Sequence, residues 1–130
     1  MENNWNTSSG IDSVGKAKLD SLENNIKEIE NMIQERNTLS ENFVKEGEKM
    51  KDNIKALITE NAQEGEGDSE FARERSELRK KQIEISELQL NEKVNCWKDI
   101  ALLKKEFREN LRELSEKKSR SDMLDKILNE

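Results

Sequence analysis

Few residues in this chain are of a type that performs chemistry, and they lie far apart. The sequence contains one cysteine, Cys96, and no histidine. Histidine is the commonest general base and zinc ligand, and Cys96 has neither a histidine nor a second cysteine with which to share a reaction or a metal. We therefore interpret Cys96 as a small buried hydrophobic residue on a helix, with a reactive or intermolecular thiol as the alternative.

The glycine- and acid-rich segment at residues 64–68 invites a test for calcium binding, because carboxylates are ligands that this ion prefers. Its sequence, Glu64-Gly65-Glu66-Gly67-Asp68, lacks the ligand spacing of a helix–loop–helix calcium site. The glycine motifs that cradle phosphate are also absent from the sequence. We therefore predict no catalytic residue, no metal and no cofactor, and a protein that is not an enzyme.

Binding to a partner is the remaining chemistry. The densest run of bases lies at residues 73–81, where it is either a solvated helix face or a contact for an acidic partner or phosphate. Trp5 stands alone in a polar segment. It is either a mobile terminal residue or the centre of a short docking motif. The candidate partner-docking residues are thus Trp5, Arg73, Arg75, Arg79, Lys80 and Lys81.

The composition favours long helices over a compact globule. Charged residues make up 40% of the chain and apolar residues 32%, and there is no proline. A typical globular domain has about 45–50% apolar residues, so we do not expect a thick self-contained core. The net charge of −6 argues against direct nucleic-acid binding, and no apolar run is long enough for membrane insertion. The N-terminus lacks a secretory signal, which predicts a cytoplasmic or nuclear protein.

Residues 16–61 carry apolar residues at alternating steps of three and four, which is the pattern of a coiled-coil seam. Arg36, Ser40 and Gly47 interrupt the seam in its middle. That stretch is either locally weak, since glycine costs about 1 kcal/mol in a helix, or a bend or docking notch for another chain. The predicted assembly residues of this first helix are Leu19, Leu22, Ile26, Ile29, Ile33, Phe43, Met50, Ile54 and Leu57.

Residues 69–118 are predicted to form a second coiled-coil helix, whose apolar stripe sharpens from Leu90 onwards. The acidic, glycine-containing segment 62–68 predicts a turn before it, and Asp68 or Ser69 can cap its first turn. The predicted assembly residues of this helix are Leu90, Val94, Trp97, Ile100, Leu103, Phe107, Leu111 and Leu114.

The two ends of the chain are less regular. Residues 1–15 are rich in Asn, Ser and Gly, which predicts a flexible N-terminal tail or a helix lead-in. Residues 119–130 form either a short C-terminal helix or a continuation of the second helix. Ser119 with Asp122 favours the first alternative, because the pair resembles a capping box.

The predicted fold is all-α, with long coiled-coil helices in an antiparallel hairpin about residues 62–68. Pairing the two predicted helices places Leu19 opposite Leu111 and Ile33 opposite Trp97, so Trp97 belongs to the core or anchors a partner. The second helix has an apolar face too wide for one neighbour. We therefore expect a dimeric four-helix bundle, or another homo-oligomer, or an obligate hetero-coiled coil. A parallel dimer with a flexible break at 62–68 is the alternative.

This architecture predicts a structural or scaffold subunit that mediates protein–protein assembly. In composition and periodicity the helical region resembles small coiled-coil subunits of kinetochore, spindle-pole and meiotic chromosome complexes, and equally subunits of vesicle-tethering complexes. The first resemblance implies a role in chromosome segregation or cytoskeletal organisation. The alternative is a coiled-coil adaptor that recruits a signalling or vesicle-tethering partner through its helices.

Overall fold

Two long helices form nearly all of the structure. The computed structural model describes the backbone of residues 2–65, 67 and 69–129, and the side chains of these residues from Gly15 onwards. Helix α1 spans Glu2–Glu64 and helix α2 spans Ser69–Asn129. They pack against each other as an antiparallel hairpin, which confirms the predicted all-α fold class.

At both ends of the chain the helices continue through segments for which the sequence offered alternatives. The backbone of residues 2–15 belongs to α1, where the composition predicts a flexible tail or a helix lead-in. Asn and Ser lower helix propensity by only a few tenths of a kcal/mol each, and no proline stops the helix there. At the other end α2 continues through residues 119–129, so the helix-continuation alternative describes this segment.

The turn between the helices depends on glycine at two positions. The backbone N–H of Gly65 donates to the carbonyl of Asn61 at 2.9 Å and completes the last turn of α1. The ring of Phe71 fills the position that a Cβ on Gly65 would need. Gly67 has a φ of +89°, which side-chain-bearing residues rarely adopt. Each glycine of the turn is therefore required for a different reason.

Contacts divide the chain into two compact units, residues 1–34 with 100–130 and residues 35–99. The core of the first unit is apolar. Ile29 is 4% exposed there. In the same unit Glu23 of α1 and Lys118 of α2 form a salt bridge of 3.4 Å. Among the described side chains of this unit, the other buried apolar residues are Leu22, Ile26 and Ile100.

The second unit, residues 35–99, has a mixed seam. Among its described residues the buried ones are Ser40, Gly47, Gly65, Gln89 and Cys96, none of which has a large aliphatic side chain. Large apolar side chains of this unit are half-buried and contribute part of their area to the packing; they are Val44, Ile54, Ile58, Phe71, Leu78 and Ile85. Specific polar contacts between α1 and α2 add to this packing.

The buried face of α1 changes phase at Ser40. Up to this residue the least exposed positions alternate at steps of three and four, but Arg36, Ser40 and Val44 follow one another at two consecutive steps of four. Such a stutter shifts a coiled-coil seam sideways. The seam then continues through Gly47, Lys51, Ile54 and Ile58. Phe43, Met50 and Leu57, which the unshifted pattern places in the seam, are exposed for this reason.

The observed register corrects the predicted one. The amide of Gln89 bonds to the carbonyl of Val44, whereas the predicted pairing places Gln89 opposite Glu41. The shift arises because α1 continues to Glu64 rather than ending at Asn61, so each residue of α2 meets a later residue of α1. Trp97 lies on a face of α2 outside the seam and is 76% exposed, so the prediction of a core Trp97 is wrong for the single chain.

Candidate helix-packing surface

Side chains of α2 bind the backbone of α1 at regular intervals. The amide Nε2 of Gln82 donates to the carbonyl of Lys51 at 3.3 Å, and that of Gln89 donates to the carbonyl of Val44 at 2.9 Å. The two donors are seven residues apart, as are the two acceptors. A helical carbonyl has a second lone pair free for such a bond. These bonds fix the axial register of α1 against α2 in the second unit.

Cys96 continues this series seven residues after Gln89. Its thiol is buried and lies 3.8 Å from the carbonyl oxygen of Arg36 and 3.9 Å from Oδ1 of Asn37. The burial confirms the interpretation of Cys96 as a buried residue of a helix. Because a thiol is a weak donor, we assign Cys96 a packing role at this level of the hairpin.

Gln89 has two further contacts on α1. Its side chain lies over Gly47, where the missing Cβ leaves room for it. Its Nε2 also donates to Oε1 of Glu48 at 3.2 Å. Lys51 binds the same Glu48 oxygen at 2.8 Å. These two bonds, the Lys51 bond first, hold the pKa of Glu48 below its ordinary value because they stabilise the carboxylate.

Arg36 pairs with two acids of α2. Its Nη1 lies 2.5 Å from Oε1 of Glu92, and its Nε lies 2.9 Å from Oδ2 of Asp99. Hydrogen bonds to Glu92 and then Asp99 raise the pKa of Arg36 further above its ordinary value, so the guanidinium stays charged. The side chain is 18% exposed. The polar interruption of the α1 seam thus faces α2. The sequence left open a docking notch for another chain at this position, but α2 of the same chain packs there.

A stripe of large apolar residues lies exposed on α2. Ile83, Leu90, Val94 and Trp97 recur at steps of seven, four and three, so they share one face of the helix. All four are exposed, Leu90 at 62% and Trp97 at 76%. At about 100° per residue this face lies about 130° around α2 from the seam with α1. We call it the α2 outer stripe.

Charges on α2 are sorted around the α2 outer stripe. Residues 69–99 contain seven bases and seven acids, so this part of the helix is neutral. At about 100° per residue, Glu87 is the one acid of this segment that lies within about 90° of the stripe centre. The bases on that side are Arg73, Arg75, Arg79, Lys80, Lys93 and Lys98. The apolar stripe is therefore bordered by positive charge.

A second exposed apolar stripe lies on α1. Leu39, Phe43, Met50 and Leu57 are all exposed and lie about 90° around α1 from its seam. We call this set the α1 outer stripe. Four acids border it, Glu35, Glu46, Glu60 and Glu64. The bases near it are Arg36, which binds Glu92 and Asp99, and Lys49, which binds Glu46 at 3.3 Å.

Two open depressions follow the α1 outer stripe. One is lined by Leu39 and Phe43 with Arg36, Glu46 and Glu92. The other lies near the hairpin turn, where Leu57, Phe71 and Leu78 form its apolar part. Its charged lining comprises Glu60, Glu64, Glu74, Glu77 and Lys81. The surroundings of this stripe are therefore acidic on α2 as well as on α1.

The two outer stripes lie on opposite sides of the second unit. The α1 outer stripe borders a depression that Glu92 helps to line. Glu92 is two residues from Leu90, and two residues correspond to about 200° around a helix. The side of α2 that carries Glu92 is therefore the side away from the α2 outer stripe.

The predicted basic docking cluster is spread around α2. Arg73, Arg79, Lys80 and Lys81 are exposed, while Arg75 is half-buried and donates from Nη1 to Oδ1 of Asn61 at 3.0 Å. Lys81 lines the depression near the turn, among acids. The five bases thus do not form one patch. The side chain of Trp5 lies outside the described residues.

The predicted assembly residues separate into three groups in the single chain. Buried are Leu22, Ile26, Ile29 and Ile100. Half-buried are Leu19, Ile33, Ile54, Leu103, Phe107 and Leu114. Exposed are Phe43, Met50, Leu57, Leu90, Val94, Trp97 and Leu111. The first two groups lie in the seam, and six of the seven exposed residues belong to the two outer stripes. That these exposed residues bind a partner stays a prediction.

Sequence reasoning missed the polar contacts that order the second unit. Gln82, Gln89 and Glu92 were invisible to a search for apolar periodicity. A signal did exist, because Gln82, Gln89 and Cys96 recur at seven-residue spacing on the face of α2 that meets α1. Reading polar and apolar residues together in one heptad frame would have found it.

The described residues contain no group of three or more acids or cysteines arranged to hold a metal ion. Within the same residues, neither helix has an apolar stretch of the length and hydropathy that a bilayer crossing requires. No protein-family model, curated protein or solved structure matches this chain.

Proposed function

We propose that this chain is a non-enzymatic structural subunit that assembles with other helices. The observation that carries the proposal is the α2 outer stripe, where Ile83, Leu90, Val94 and Trp97 are exposed on one continuous face. A contiguous exposed apolar patch of this kind is typical of a protein interaction site. An exposed tryptophan at its end is the residue type most often found as an interface anchor.

The hairpin supports this role by its geometry. Gln82, Gln89 and the Arg36 ion pairs hold α1 and α2 in one register, so the outer stripes are presented on a preorganised surface. Preorganisation reduces the entropy lost on binding. The described side chains with little exposure are used for packing within the hairpin, which leaves the outer faces for partners.

The cellular process is a separate hypothesis. Its support is the resemblance in composition and periodicity to coiled-coil subunits that act in chromosome segregation or cytoskeletal organisation, in the cytoplasm or the nucleus. Imaging of the tagged chain through the cell cycle tests it. Accumulation on chromosomes, spindle poles or filaments is expected, and a uniform distribution at every stage would contradict it.

The assembly role is tested by purifying native complexes through the tagged chain, with Leu90→Lys/Trp97→Lys as the stripe variant. Leu102→Lys/Leu128→Lys is the matched control, because these leucines are also highly exposed but lie outside both outer stripes. We expect a stoichiometric complex, of one or several kinds of chain, that the control retains and the stripe variant loses. A monomeric chain without a stoichiometric partner, or equal complexes in all three preparations, would refute the proposal.

A further inference from the structure

The two outer stripes of this protein are complementary in charge. Four acids border the α1 outer stripe, and the two bases near it on α1, Arg36 and Lys49, are paired with acids. Six bases and one acid lie on the side of the α2 outer stripe. Two surfaces of the same chain therefore combine apolar side chains with opposite charge.

The stripes also match in length. From Leu39 to Leu57 the α1 outer stripe extends about 27 Å, and from Ile83 to Trp97 the α2 outer stripe extends about 21 Å, at 1.5 Å per residue. Both use the seven-residue spacing that lets helices pack side by side, as in Met50 to Leu57 and Ile83 to Leu90. An α1 surface and an α2 surface can thus face each other over about three turns or more.

One molecule cannot join its own stripes, because they lie on opposite sides of the second unit. We propose that the α2 outer stripe of one copy binds the α1 outer stripe of a second copy. This inference rests on the proposed assembly function and names its partner as another copy of this chain. The contact is heterologous, since each copy contributes a different surface. Every bound copy leaves one stripe of each kind free, so growth continues beyond a dimer unless a ring closes.

Charge explains why unlike stripes pair. Two α2 outer stripes would bring Arg79, Lys93 and Lys98 against the same bases, and two α1 outer stripes would bring acids against acids. Like charges across an interface disfavour both arrangements. In the heterologous contact, Glu46 and Glu60 lie among the bases of the α2 outer stripe. Increasing salt is therefore expected to weaken association.

One-sided variants test the contact by sedimentation. Leu90→Asp/Trp97→Asp blocks the α2 outer stripe, and Phe43→Asp/Met50→Asp blocks the α1 outer stripe. All four residues are exposed in the single chain, so both variants keep their helicity. We expect concentration-dependent species larger than a dimer for the wild type and monomers for each variant. An equimolar mixture of the two variants is expected to form a dimer and to stop there, since each supplies the stripe that the other lacks.

A charge exchange supplies the matched control. Glu46→Lys/Glu60→Lys is expected to weaken self-association about tenfold relative to the wild type. Adding Lys93→Glu/Lys98→Glu in the same chain is expected to restore it. Leu102→Asp/Leu128→Asp should sediment as the wild type does. Restoration would exclude a merely hydrophobic, unspecific association.

Several outcomes would overturn the inference. These are a monomeric wild type, either blocked variant associating as strongly as the wild type, or a mixture of variants that remains monomeric. Binding of the α2 outer stripe to anionic vesicles or DNA at physiological salt, without self-association, would also overturn it. If the wild type is monomeric but its native complexes still depend on Leu90 and Trp97, then assembly with other chains stands and self-assembly falls.

Discussion

The amide group of Gln89 occupies the space of the side chain that Gly47 lacks. A Cβ at residue 47 would lie 2.5 Å from Nε2 of Gln89 and 2.9 Å from its Cδ. Gln89 is 5% exposed, and this position lets Nε2 reach both the carbonyl of Val44 and the carboxylate of Glu48. Gly47 thus lowers the helix propensity of α1, but its missing side chain makes room for the buried Gln89 of α2.

A double-mutant cycle tests this relationship. Gly47→Ala gains about 0.5–1 kcal/mol of helix propensity but displaces Gln89 from hydrogen bonds whose loss costs about 1–3 kcal/mol. We expect a net loss of about 1 kcal/mol in the free energy of unfolding, measured by urea denaturation. In a Gln89→Ala background the same substitution should stabilise the protein by about 0.5–1 kcal/mol. An equal effect of Gly47→Ala in both backgrounds would show that the two residues do not interact.

The register is tested by a disulfide between the helices. The thiol of Cys96 lies 3.9 Å from Oδ1 of Asn37, so an Asn37→Cys variant should form an intramolecular disulfide under mild oxidation. The predicted register from sequence places Cys96 opposite Gln34 instead. We expect the Asn37→Cys bridge to form faster than a Gln34→Cys bridge, as followed by mass spectrometry after alkylation. The reverse order would support the sequence-based register.

Arg36 and its two acids should differ in importance. Glu92 is 20% exposed on its side chain and Asp99 is 53% exposed, so solvent screens the Asp99 pair more strongly. We expect Glu92→Gln to lower the melting temperature more than Asp99→Asn does. Arg36→Ala should lower it most, because it leaves two carboxylates near each other without their cation. If Asp99→Asn has the largest effect, the burial difference does not govern this cluster.

Periodicity predicted the all-α fold and the apolar end of the hairpin because these depend on side-chain patterning alone. Leu22, Ile26 and Ile29 recur at helical spacing and are buried as that spacing requires. The register could not be obtained in this way, since it depends on where α1 ends. Glu64 lies within a glycine- and acid-rich segment that resembles a turn in composition, yet it is still helical.

Six of the eight residues of the two outer stripes are among the predicted assembly residues, but Leu39 and Ile83 are not, and the arrangement in two separate stripes was not predicted. Leu90, Val94 and Trp97 were expected in one seam with Ile100 and Leu103, because a helical repeat joins them on a wide face. The structure separates them, since Cys96 and Ile100 lie in the seam while Trp97 is exposed. On α2 the least exposed positions Glu92, Cys96 and Ile100 follow one another at two consecutive steps of four, which is a stutter like that of α1 at Ser40. This stutter moves the seam away from Trp97, and it is visible only when polar seam residues are counted.

Glu48 should make stability depend on pH at the acid side. Its bonds to Lys51 and Gln89 lower its pKa in the folded chain, so its contribution is present above the unfolded pKa and is lost as pH falls through the folded pKa. Wild type and Glu48→Gln should therefore differ most near pH 7 and converge as pH falls through the lowered pKa of Glu48. Urea midpoints over a pH series measure this. Lys51→Met should make the loss of stability at acid pH less steep. A stability difference between wild type and Glu48→Gln that grows towards low pH would contradict the prediction.

Ile29 and Trp97 should respond to truncation in opposite ways. Ile29 is 4% exposed, so Ile29→Ala removes buried methyl groups and should cost about 2–4 kcal/mol of unfolding free energy. Trp97 is 76% exposed, so Trp97→Ala should change the stability of the isolated hairpin by less than about 0.5 kcal/mol. Denaturation at concentrations where the chain is monomeric separates the two effects from assembly. Assembly itself should depend on Trp97, because its exposed apolar area is available to a partner. A Trp97→Ala variant as unstable as Ile29→Ala would place the tryptophan in the core after all.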